Sequence, residues 1–168
     1  SSDKNHFNQS VLLFSKQPLS EAGIKAAFDK IVLHHDALRM TFRQTDVSWI
    51  QENKGKEQRY SFERFEYKNE ASFVEECERI QSSIDLENGP LVKIALFRSD
   101  SGDRLLLVVH HLVIDGVSWR ILFEDLSQLY QQYISKEPLQ LPLKTDSFMY
   151  WQEKQTEYAF SKELQEEE

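Results

Sequence analysis

The sequence predicts an α/β domain with helices packed on a mixed sheet, and three observations carry that expectation. Leu105-Leu106-Leu107-Val108-Val109 is apolar without alternation, the pattern of a central strand covered on both faces. Strand-like runs rich in β-branched and aromatic residues recur at 7–14, 60–65 and 91–97. Apolar residues at helical spacing separate and follow them, most clearly Leu122, Leu126, Leu129, Tyr130 and Tyr133. Strands interleaved with amphipathic helices bury their apolar surfaces by layering in this way.

Taken in order, the first strand covers 7–14, and Pro18 and Ser20 punctuate its end. Ser20 is placed to cap a helix over 21–35, whose buried stripe is Ile24, Phe28, Ile31 and His35. Residues 38–42 read as the next strand, with 47–51 pairing back through a polar turn around Thr45-Asp46. A turn or exposed loop follows at 53–56. Residues 60–65 then alternate as a half-exposed strand. Phe73, Cys77, Ile80 and Ile84 predict a helix over 70–84, which Asn88-Gly89-Pro90 stops. The strand at 91–97 turns through Ser99-Asp100-Ser101-Gly102-Asp103, a hairpin signal, into the central strand. After the last long helix, starting near Val117, Pro138 and Pro142 frame an extended linker, and 148–160 predicts an aromatic-rich helix. Residues 1–137 form one lobe in this reading, and 138–168 form a linker and helix leading away from it.

At 168 residues the chain is long enough for one domain with a real core. Its net charge of -8 argues against a nucleic-acid partner, which calls for a basic face. No apolar run approaches the roughly 20 residues that span a bilayer, and residues 1–5 show no signal-peptide pattern. The lone cysteine, Cys77, has no partner for an internal disulfide and fits a reducing cytoplasm. Within a helix it reads as a small core residue. No CxxC or spaced Cys/His set suggests a metal, and no phosphate-binding or nucleophile-elbow motif is present. The acidic residues at 75–78 and 163–168 read as solvated helix faces.

Chemistry concentrates in His110-His111-Leu112-Val113-Ile114-Asp115-Gly116-Val117-Ser118-Trp119, where the central strand gives way to a helix. Such a junction fixes a side chain on the strand and opens it to substrate through the loop. A histidine there is a candidate to take or give a proton. Adjacent residues at a strand end point to opposite faces, so only one of His110 and His111 faces a given cavity. Asp115 lies in the turn, where it can orient an imidazole, pair with a cation or cap the helix. Gly116 leaves room for a ligand to pass close to the backbone, and Trp119 offers a flat apolar wall with one donor. A histidine pair before a helix is by itself more often structural than catalytic; the joint pattern of His, His, Asp and Gly after an apolar strand is what marks this one. His34-His35-Asp36 ends a helix, where imidazoles satisfy free carbonyls and complement the dipole, and it reads as structural.

Four stretches resemble the condensation superfamily of nonribosomal peptide synthetases, and within it the epimerization domains. They are Phe7-Asn8-Gln9-Ser10, His34 to Phe42, Asp85-Leu86 with Gly89-Pro90-Leu91, and His110 to Trp119 as HHxxxDGxSW. The Ser-Trp ending and the His-His-Asp start of the second motif are the epimerization-like variants. The resemblance implies the N-terminal lobe of a chloramphenicol-acetyltransferase-like fold, whose active site lies in a tunnel between this lobe and a second one. It implies a multifunctional cytoplasmic enzyme of secondary metabolism, of the kind that makes peptide antibiotics.

The activity so implied is inversion at Cα of an aminoacyl or peptidyl residue, held as a thioester on the 4'-phosphopantetheine arm of a carrier domain. By resemblance His111 is the catalytic histidine and His110 supports it. Asp115 holds a structural salt bridge, for which Arg39 is the expected partner. Gly116, Ser118 and Trp119 shape the tunnel, with Ser118 also a helix cap. A catalytic glutamate belongs to the second lobe, so the chain alone is expected to be inactive and to expose an apolar docking face. The resemblance implies no metal and no cofactor bound by the chain itself. Peptide-bond formation between carrier-bound substrates, as in condensation domains, is the alternative reading; a nonenzymatic docking domain of the same fold is another.

Overall fold

The structure, a computed structural model, describes residues 8–44, 49–53, 60–114, 117–142 and 165–167. In chain order these form β1 (Asn8–Ser15), α1 (Glu21–His34), a 3-10 turn (Asp36–Arg39), β2 (Met40–Gln44), β3 (Trp49–Asn53) and β4 (Ser61–Glu66). There follow α2 (Glu70–Gln81), β5 (Val92–Ser99), β6 (Gly102–His110), α3 (His111–Ile114), α4 (Trp119–Ile134) and β7 (Gln165–Glu167). Five strands make one sheet in the order β4-β5-β6-β1-β7, and β2 pairs with β3 apart from it. Only β4 and β5 run parallel within the larger sheet, so the sheet is mixed, as predicted.

The apolar run that predicts a central strand is β6, the third strand of five. Every residue from Leu105 to His110 is buried. Strand alternation divides its two faces. Asn8 and Ser10 of β1 bond to Gln81 of α2, and Arg104 of β6 lies over the Phe73 ring of α2. Residues of that parity therefore face α2. Gln9 bonds instead to Trp119 of α4, and Asp103 accepts from the backbone of Leu19 ahead of α1. Those residues mark the face covered by α1 and α4. Ile24, Phe28, Ile31, Leu122 and Leu129 fill that layer, each essentially without exposure, and each such side chain contributes roughly 1.5–3 kcal/mol relative to exposure.

Local chemistry ends the elements where the side chains allow it. Ser20 caps α1 by accepting from Gly23 N at 2.9 Å, as its position predicts. The strand expected at 38–42 begins only at Met40, because Leu38 N donates to the His35 carbonyl and winds Asp36–Arg39 into a tight turn. The helix expected over 70–84 stops at Gln81. Ser82 and Ser83 turn their hydroxyls onto the carbonyls of Glu78, Arg79 and Ile80, competing with helix continuation. Ile84 still reaches the core from beyond the helix.

The linker expected after α4 is present as irregular backbone over 138–142, bonded to α4 through Gln128 and Gln132. The turn at 45–46 and the helix predicted over 148–160 lie outside the described residues. The acidic end departs from its expectation as a helix face. Its residues Gln165–Glu167 form β7, pairing antiparallel with Leu12–Phe14. An open strand edge is a row of unpaired backbone groups, and β7 satisfies part of that row on β1.

Candidate active site

The site grows from the end of β6. His110 is its last residue, is 1% exposed and belongs by parity to the face under α2. Its backbone N–H donates to Leu91 O, and its Nδ1 accepts from Leu112 N at 3.1 Å. The ring is therefore a packed support that pins the first turn of α3. His111 opens α3, is exposed and lies on the other side. The expected division of the pair between two faces holds.

His111 is joined to two other elements through a residue that sequence reasoning did not single out. Gln9 of β1 donates from Nε2 to His111 Nδ1 at 3.2 Å. Its Oε1 accepts from Trp119 Nε1, at the start of α4, at 2.8 Å. Trp119 in turn stacks on Phe123, with ring centroids 5.6 Å apart and planes at 28°. Ser118 caps α4 by accepting from Ile121 N at 3.2 Å, as expected, and so places Trp119 at the first helical position. Gln9 becomes a neighbour of His111 only through the register of β1 on β6, in which Asn8 pairs with His110 and Gln9 with Val109.

Asp115 and Gly116 lie outside the described residues, and with them the expected Arg39–Asp115 pair. Arg39 donates to Asp36 Oδ1 at 2.6 Å and to the carbonyls of Val32 and Leu33 at 3.2 Å. This guanidinium meets α1 carbonyls that sequence reasoning gave to the histidines. The His35 ring bonds instead to Asp125 of α4 at 2.6 Å.

Two further titratable groups are notable for burial. Glu124 is 6% exposed, and its Oε2 has no hydrogen-bond partner among the described residues. Burial pushes its carboxyl up to about 7. Cys77 is half-buried against the core, and burial pushes its thiol up to about 11, which fits the packing role expected of it. Among the described residues no group of three or more His, Cys, Asp or Glu is placed to hold a metal ion. A cleft of about 810 Å³ lined by Tyr67, Glu70, Ser99 and Arg104 lies at the opposite end of β5 and β6 from His111, away from the motif.

A mixed sheet with the histidine motif at the end of its buried central strand defines the N-terminal lobe of a chloramphenicol-acetyltransferase-like fold. The chain belongs to the condensation-domain family, whose model, described as "Condensation domain", matches residues 1–168. It is 48% identical over 167 residues to tyrocidine synthase 2 of Brevibacillus parabrevis, covering 96% of this chain and 5% of that protein. It is 44% identical over 168 residues to gramicidin S synthase 1 of Brevibacillus brevis, covering 97% of this chain and 15% of that protein. The crystal structure of the epimerization domain from the third module of tyrocidine synthetase B superposes with a TM-score of 0.80 at 47% identity, over 96% of this chain and 38% of that one. A starter condensation domain of the rhizomide synthetase shares the fold, with a TM-score of 0.70 at 15% identity over 88% of this chain and 39% of that one. The chain thus spans a small part of these synthetases and about two-fifths of the solved domains.

Proposed function

We propose that residues 1–137 are the N-terminal lobe of an epimerization domain in a cytoplasmic nonribosomal peptide synthetase, with 138–168 leading toward a second lobe. The observation that carries this reading is the 47% identity to a solved epimerization domain over nearly the whole chain. The partners are a carrier domain bearing an aminoacyl or peptidyl thioester on phosphopantetheine, and the second lobe. Leu112 is 44% exposed beside His111, where this reading puts the second lobe.

A thioester acidifies the proton on Cα, yet inversion still needs groups on both faces of that carbon. His111 meets the thioester from this lobe, exposed at the start of α3 directly after β6, whose rigidity limits its movement. The opposite face belongs to the second lobe, so residues 1–168 alone are inactive. In this reading Ser118 and Trp119 shape the tunnel wall, while Asp115, in a structural salt bridge, and Gly116, at the tunnel, keep the roles that the resemblance implies.

The test uses the full-length protein, with its second lobe and carrier, loaded with an L-aminoacyl thioester in deuterium oxide. Solvent deuterium at Cα together with D-product, both lost in His111→Ala, is the expected result. Amide formation with a second loaded carrier, without exchange at Cα, assigns a condensation domain instead. Neither activity leaves a nonenzymatic docking domain.

A further inference from the structure

We infer that Gln9 and Trp119 are positioning residues that hold the neutral His111 ring with its proton on Nε2. In the proposed reaction, on which this role rests, the ring then meets the thioester as an N–H donor and not as the base. The indole nitrogen of Trp119 allows no choice of role. An indole Nε1–H is a donor only, with no lone pair to offer. Its bond to Gln9 at 2.8 Å therefore identifies the facing amide atom as the oxygen. The other end of the amide, turned to His111 at 3.2 Å, is then the NH2 group, again a donor only. Nδ1 of His111 accepts that bond through its lone pair, and a neutral imidazole carries its single proton on the other nitrogen. An amide orientation is usually ambiguous by itself. Here the tryptophan removes the ambiguity, and the histidine tautomer follows from it.

The anchor is rigid at the end that matters. Trp119 is stacked on Phe123 and sits on the capped first turn of α4, while Gln9 is held by the pairing of β1 to β6. Moving the ring proton to Nδ1, which presents a lone pair at Nε2, places Nδ1–H against the amide NH2. Relieving that clash rotates the amide and sets its NH2 against the indole N–H. Each alternative opposes two donors, so the three residues behave as one unit. Loss of the Cα proton moves negative charge onto the thioester carbonyl oxygen, and a fixed N–H aimed at that oxygen stabilises it without reorganisation. A group of the second lobe then takes the Cα proton, and solvent supplies the proton returned to the opposite face.

Gln9→Glu tests this with almost no change of shape. A carboxylate accepts from both Trp119 Nε1–H and His111, and draws the histidine proton to Nδ1. The same full-length protein and carrier, labelled with 15N in the histidine rings, reports the tautomer directly, with His111 assigned by difference from His111→Ala. The expected wild-type state is an unprotonated Nδ1 and a protonated Nε2, reversed in Gln9→Glu. Deuterium exchange at Cα falls on the order of 100-fold in kcat with KM unchanged. Trp119→Phe, which keeps the stacking and deletes the N–H, shifts both readouts in the same direction. A wild-type ring protonated on Nδ1, or a Gln9→Glu protein with wild-type tautomer or exchange, overturns the inference. Absence of exchange in the wild type sinks the epimerization reading alone, because the tautomer is read in the resting protein.

Discussion

His35 Nε2 and Asp125 Oδ2 meet at 2.6 Å, and their side chains are only 11% and 6% exposed. The contact ties the C-terminal end of α1 to the middle of α4, the two helices that cover the Gln9 face of the sheet. The backbone of His35 also donates to Ile31 O and closes α1. One residue thus ends a helix locally and fastens it to another helix.

Breaking that contact is costly because it strands a carboxylate away from water. His35→Leu is expected to lower stability by about 3 kcal/mol, read from the denaturant midpoint at unchanged slope. Adding Asp125→Leu recovers part of the loss, since both polar partners are then gone. A double variant no more stable than His35→Leu contradicts the pairing.

Glu124 gives stability a pH dependence of defined sign. Its carboxyl titrates near 7 in the folded chain against an ordinary value of 4.5. The folded state therefore binds the proton more tightly, and the stability this contributes is whole below pH 4.5 and lost as pH rises through 7. Glu124→Gln is expected to flatten that fall and to raise the melting temperature at pH 8. Melting curves of both proteins across the range decide it; parallel pH profiles are the contrary result.

Gly102 opens β6 at a φ of +137°, and a Cβ there comes within 2.6 Å of the Ser15 carbonyl in the paired strand. Neither strand backbone yields easily, because Ser15 pairs with Asp103 and Ser99 with Gly102. Gly102→Ala is expected to cost about 1–3 kcal/mol, measured by chemical unfolding. Wild-type stability refutes the strain argument.

Ser118 supports α4 at the point where Trp119 enters the site. Ser118→Ala removes the cap on Ile121 N and is expected to cost about 1 kcal/mol. Ser118→Asp, which caps equally well, restores it. Thermal unfolding of the three proteins, with equal stability throughout, is the result that excludes a capping role.

What depends on short-range periodicity and local hydrogen bonding was legible in the residues. The unbroken apolar run at 105–109 announced a strand buried on both faces. Ser20 and Ser118 announced their helix starts, because a cap acts on an amide only three residues away. The motif at 110–119 marks the candidate site, and His110 and His111 fall on opposite sides where β6 gives way to α3.

Which residues meet across the chain was set by strand register and helix packing. Gln9 reaches His111 because eight paired positions set the register of β1 on β6, and a one-residue slip turns Gln9 to the other face. Asp125 and Glu124 are adjacent in sequence, yet Asp125 receives His35 while Glu124 Oε2 is buried with no partner among the described residues. The use of Gln165–Glu167 as an edge strand follows from the open flank of β1, not from its two acidic letters. A local pattern states how each segment prefers to fold and which side it buries. The partner on that side is settled by strand register and helix packing, which bring together residues about a hundred positions apart.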